Sequence, residues 1–188
     1  MKNSKSYMIA FTGVMAALTF LVLFLETYVF VVLIPLAPPC FLSLSLAITI
    51  SLAGDWKYMF IGGTVLGCCS LIIAFMIGNP VFILPWISIL PRVMIGVVAY
   101  GVSTLMIKFT CRAKNKFVNS YLPYGISAVF GVLTNTVLVL TVMFLCKFVG
   151  LEDVIATFMA INFPIEVLAS AILVPILVNV VKRIKKGA

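Results

Sequence analysis

Histidine is absent from all 188 residues, and only 5 residues carry a carboxylate against 13 lysines and arginines. The commonest metal ligand and the commonest general base near neutral pH are therefore both missing. Cys40, Cys68, Cys69, Cys111 and Cys146 stand in apolar stretches, and their one adjacent pair lacks the CxxC spacing of zinc or redox sites. They read as small apolar residues. HExxH, GxSxG and paired-aspartate motifs are also lacking, so no catalytic residue, metal or cofactor is expected. The run Gly62-Gly63-Thr64-Val65-Leu66-Gly67 is followed by Cys68 in place of Lys-Ser/Thr. It is not a phosphate loop, and the chain has no recognisable nucleotide motor.

Apolar residues dominate instead: 64% of the chain is hydrophobic, 10% is charged, and the mean hydropathy is +1.28. Such a chain cannot be a soluble domain of ordinary composition. The expected fold is an all-α polytopic integral membrane protein, one domain over residues 1–188. Its first apolar run, Tyr7 to Leu25, is longer than a signal-peptide core and has no A-x-A cleavage site, so it reads as a retained span. The net charge of +8 does not point to nucleic acid, because the basic residues flank apolar runs without a soluble domain to carry a binding surface.

A straight transmembrane helix needs about twenty apolar residues. Charge, proline and glycine divide the chain into six candidate segments: Tyr7 to Leu25, Cys40 to Ala53, Tyr58 to Ile77, Ile87 to Phe109, Leu122 to Phe148 and Val154 to Val181. The second is short for a full span. Ahead of it, Ile34-Pro35-Leu36-Ala37-Pro38-Pro39 cannot be regular helix, since prolines remove donors and fix φ. A proline-rich extracellular lid is expected at about 26–40. In a six-span layout Lys2, Lys5, Lys57, Lys108, Arg112, Lys114, Lys116, Lys182, Arg183, Lys185 and Lys186 fall on one side, which predicts that both termini are cytoplasmic. The other half holds Lys147 and Arg92, together with Glu26, Glu152, Asp153 and Glu166.

That outer half carries the unusual polar residues. Leu90-Pro91-Arg92 places a guanidinium at the start of an apolar helix, where helix amides and the guanidinium fork suit a carboxylate or phosphate. The alternatives are that Arg92 snorkels to headgroups or pairs with Glu166. Asn162-Phe163-Pro164-Ile165-Glu166 sets an amide and a carboxylate four residues apart on one helix face, around a proline expected to weaken the local ladder. Thr134-Asn135-Thr136 falls mid-span, where Asn135 must find a partner, either a neighbouring helix or a ligand. Asn79 and Trp86 sit in the loop between the third and fourth segments, Trp86 suited either to closing over a ligand or to anchoring at the interface. In the first segment Gly13 and Ala17 form a small-xxx-small pair with Ala10 and Ala16 nearby, a strip for close helix approach inside or outside the protein.

Taken together, the Gly13-x-x-x-Ala17 strip, Leu90-Pro91-Arg92-Val93-Met94-Ile95-Gly96, Thr134-Asn135-Thr136 and Asn162-x-Pro164-x-Glu166 resemble the substrate-binding subunits of energy-coupling factor transporters. The resemblance covers essentially the whole chain and is nearest to the riboflavin-type and pantothenate-type branch. It implies a bacterial plasma-membrane protein that captures a vitamin outside and docks on a transmembrane coupling subunit driven by two ATPase subunits. It further implies that the docking strip is Gly13 and Ala17, with Gly13 standing where the family has alanine. Arg92, Asn135, Asn162, Glu166, Asn79, Thr134 and Trp86 are then the substrate-binding candidates. Pantothenate is favoured, since its carboxylate suits Arg92 and its hydroxyls and amide suit the asparagines; riboflavin or another micronutrient is the alternative within the family. From a different class, an intramembrane enzyme acting on a lipid-borne substrate would use Glu166 as acid or base and Arg92 as phosphate holder.

Overall fold

A computed structural model of the chain describes residues 5–30, 41–54, 56–78, 82–110, 116–147, 152 and 162–187. Among these residues every regular element is helical. Helix α1 (Lys5–Leu25) passes into a π-helical turn (Glu26–Phe30); then come α2 (Phe41–Leu52), α3 (Tyr58–Ile77), the single turn α4 (Pro85–Ser88), α5 (Leu90–Thr110), α6 (Lys116–Leu145) and α7 (Asn162–Gly187). Five stretches are long and apolar enough to cross a membrane: Ile9–Val29, Tyr58–Ile77, Pro85–Thr110, Val118–Leu145 and Phe163–Ile184. The composition and this helical architecture make the chain compatible with membrane insertion, where helices satisfy their own backbone polar groups. Most of the expected lid, and Val154 at the expected start of the last segment, lie outside the described residues.

The short second segment is the centre of the bundle. At 12 residues α2 rises only ~18 Å, too little to cross ~30 Å of hydrocarbon. It packs on α1, α3, α5, α6 and α7, and every residue from 43 to 53 is buried. Its polar side chains are compatible with that burial because they are bonded: Thr49 and Ser51 donate to the carbonyls four residues back, at 2.8 and 3.0 Å, and the hydroxyls of Ser45 and Ser170 meet at 2.9 Å across to α7.

Glycine lets three backbones meet around this core. A Cβ on Gly62 would strike the Ala47 carbonyl of α2, one on Gly63 the Arg92 carbonyl of α5, and one on Gly96 the Met59 carbonyl of α3. The glycine run that is not a phosphate loop is thus a packing surface, the kind of close approach that small residues allow between membrane helices. Gly78 ends α3 in the left-handed region, φ 74°, and its N–H closes on the Ala74 carbonyl at 2.9 Å. Two residues past the end of α6, Lys147 takes the left-handed region without being a glycine, φ 59°.

Two internal prolines shape the α6–α7 pair. Pro123 and Pro175 lack N–H donors and so leave carbonyls in the preceding turn. The amide of Asn179 donates to the carbonyls of Ser120 and Pro175, at 2.9 and 2.8 Å, tying the two helices together near the first proline.

Candidate functional site

Arg92 is in the first turn of α5 and is 7% exposed. Its guanidinium donates to the Ile87 carbonyl and lies over the Phe82 ring, 5.2 Å from the centroid. The segment 82–88 folds over it, pinned where the buried Ser88 hydroxyl donates to the Phe82 carbonyl. Ile89 N–H donates to Pro85 O at 2.7 Å and Val93 N–H to Ile89 O at 3.0 Å, so α4 carries the backbone ladder into α5. The N–H groups of Ile89 and Val93 are therefore spent, and the buried Arg92 guanidinium adds its charge at this position.

Asn135 lies on α6 and is 8% exposed, and its side-chain carbonyl oxygen is buried with no hydrogen-bond partner. Leaving such an acceptor bare costs ~1–3 kcal/mol. One turn earlier, a Cβ on Gly131 would stand 3.0 Å from Ile48 of α2 and 3.4 Å from Ile95 of α5. Because α5 and α6 run antiparallel, one turn along α6 from Gly131 and one turn back along α5 from Ile95 bring Asn135 and Arg92 to a common height. The neighbouring threonines differ: Thr134 and Thr136 donate to the carbonyls of Phe130 and Val132, at 2.7 and 3.2 Å, and their hydroxyl protons serve their own helix.

Glu166 is buried on α7, one turn from Ser170, whose hydroxyl meets Ser45 of α2. Since Ser45 is in turn one turn from Ile48, Glu166 stands within about one turn (~5.4 Å) of the height of Asn135. Asn162, four residues before it, opens α7 as described. Pro164 lies between them, the third described residue of α7. Arg92 and Glu166 each take part in further interactions. Trp86 is 55% exposed on α4, and Asn79 lies outside the described residues.

Glu26, which the sequence placed at the start of the expected lid, joins the same end of the bundle within a helical turn. Glu26, fully buried on the π turn after α1, accepts hydrogen bonds from the N–H groups of Leu42 at 2.5 Å and Ser43 at 3.2 Å. It caps α2 from another helix, a carboxylate at the positive end of the helix dipole. The signal was there: a lone carboxylate in an apolar run, ahead of a proline-rich connection and a Ser-x-Ser helix start.

On the opposite side of α1, Ala10, Gly13 and Ala17 are exposed among Val14, Leu18 and Leu21, while Ala16 is half-buried. Nothing lies within 4 Å of where a Gly13 side chain would begin. The small strip is therefore unused by packing among the described residues. Also among the described residues, no three His, Cys, Asp or Glu side chains gather as a metal site. Comparison with protein-family models, curated proteins and solved structures found no match to this chain.

Proposed function

We propose that this chain is the substrate-binding subunit of an energy-coupling factor importer, and that it captures a small carboxylated vitamin, with pantothenate favoured. The observation that carries the reading is the unpartnered Asn135 oxygen at the height of Arg92, with Glu166 close to the same level. A bare buried acceptor at the level of a fixed cation suits a ligand that presents a carboxylate together with a hydroxyl or amide donor. The exposed strip at Gly13 and Ala17 supports docking of a separate coupling subunit and its two ATPases.

In this reading the chain sits in a bacterial plasma membrane with both termini cytoplasmic. Of the six segments, α2 serves as an internal helix shielded from lipid by its neighbours. Arg92, Asn135 and Glu166 then lie in the outer half, and the basic ends of α1, α5, α6 and α7 face inward.

Titration of the purified protein with pantothenate and riboflavin, followed by native mass spectrometry and calorimetry, tests the proposal. Saturable binding of pantothenate is expected. No binding of any vitamin, or turnover of a lipid substrate that Glu166→Gln abolishes, would overturn it.

A further inference from the structure

Away from the polar cluster, a groove of about 720 Å³ runs between α6 and α7, and none of the candidate ligand residues lines it. Its volume falls in the ~300–1,000 Å³ range of small-molecule pockets. The two backbones come close at its floor, where a Cβ on Gly125 would stand 3.3 Å from the Ala171 carbonyl. Its walls include Ile126, Val129, Ile172 and Ile176, an apolar lining that suits a hydrocarbon chain and offers little to a polar solute.

Beyond the groove the charge is of one sign. Arg183 stands seven residues after Ile176, two turns along the same stripe of α7 and ~10.5 Å away. It is exposed, whereas its neighbour Lys182 is held by the Tyr124 hydroxyl. Neither helix carries an acidic residue apart from Glu166.

We infer that this groove binds one anionic phospholipid, its acyl chain lying along Ile126, Val129 and Ile172 and its phosphate meeting Arg183. The charge complementarity selects this occupant. A second copy of the chain seated symmetrically on the groove would bring its own Arg183 against this one. The inference rests on the membrane reading and is independent of the vitamin proposal.

The test is native mass spectrometry of the delipidated full-length protein, titrated separately with dioleoylphosphatidylglycerol and dioleoylphosphatidylcholine. One phosphatidylglycerol should bind about fivefold more tightly than phosphatidylcholine, the factor expected of one basic residue near a membrane surface. Arg183→Gln, a surface change that leaves the groove intact, should bring phosphatidylglycerol down to the phosphatidylcholine level. Ile126→Trp, which fills the groove, should lower binding of both. Equal binding of the two lipids, phosphatidylglycerol binding unchanged in Arg183→Gln, or a dimer that excludes lipid would overturn the assignment.

Discussion

A Cβ on Gly63 of α3 would overlap the carbonyl oxygen of Arg92, because the two helices cross backbone to backbone at that point. The position of the candidate ligand arginine is thus set by a residue with no side chain on another helix. Gly63→Ala must push α5 away, and overpacking of this kind costs ~1–3 kcal/mol. A lower melting temperature in detergent is expected, with weaker vitamin binding. Gly13→Ala is the control: its site is open, alanine is the better helix former, and thermal stability should hold or rise.

Arg92→Ala should weaken binding of a carboxylated ligand more than tenfold, or ~1.4 kcal/mol, through loss of a charge-assisted pair in a buried site. Calorimetry on the purified variant measures this. Affinity equal to that of the unaltered protein would remove Arg92 from the site.

Gly13→Leu should leave vitamin binding intact and block assembly with the coupling subunit. The residue is exposed with nothing near it, so added bulk disturbs no internal contact, but it holds an approaching helix away. Co-purification of the variant with its coupling subunit, at the level seen for the unaltered protein, would move the docking surface elsewhere.

How far these features could be read from sequence depended on the range of the interaction behind them. The long spans were legible because a run of about twenty apolar residues has few other uses. The start of α5 at Leu90-Pro91-Arg92 was legible from local proline chemistry. The central place of α2 was not, since a short apolar run looks alike whether wrapped by five helices or lying at an edge. The work of Gly62, Gly63 and Gly96 was hidden for the same reason: each glycine is explained by a carbonyl on a different helix. Glu26 was seen as a charge in the outer half, but its partners are 16 and 17 residues away, beyond any capping pattern within one helix. Of the candidate ligand residues, Asn135 is distinguished from Thr134 and Thr136 only by the bonds its neighbours make to their own helix.

Glu26→Ala should lower thermal stability by ~1–2 kcal/mol or more. It strips the buried N–H groups of Leu42 and Ser43 of their acceptor, a loss at least as large as that of an ordinary helix cap. Glu26→Gln keeps one acceptor oxygen and should recover part of the loss. A thermal unfolding series in detergent separates the three proteins, and an Ala variant as stable as the parent would show that α2 does not need this cap.

Asn135→Leu distinguishes a ligand residue from interhelical glue, because the two roles predict opposite changes in the unliganded protein. Glue would be lost on substitution and the melting temperature would fall. The carbonyl oxygen of Asn135 is bare, so replacing the amide with an apolar side chain of similar size removes a desolvation cost and should leave stability equal or higher by ~1 kcal/mol. Vitamin binding should fall at the same time by about tenfold or more, since the ligand loses its acceptor. Melting curves with and without saturating pantothenate measure both at once: the variant should match or exceed its parent alone and gain little from the vitamin. A variant that melts early on its own yet is still stabilised by the vitamin would assign Asn135 to helix packing.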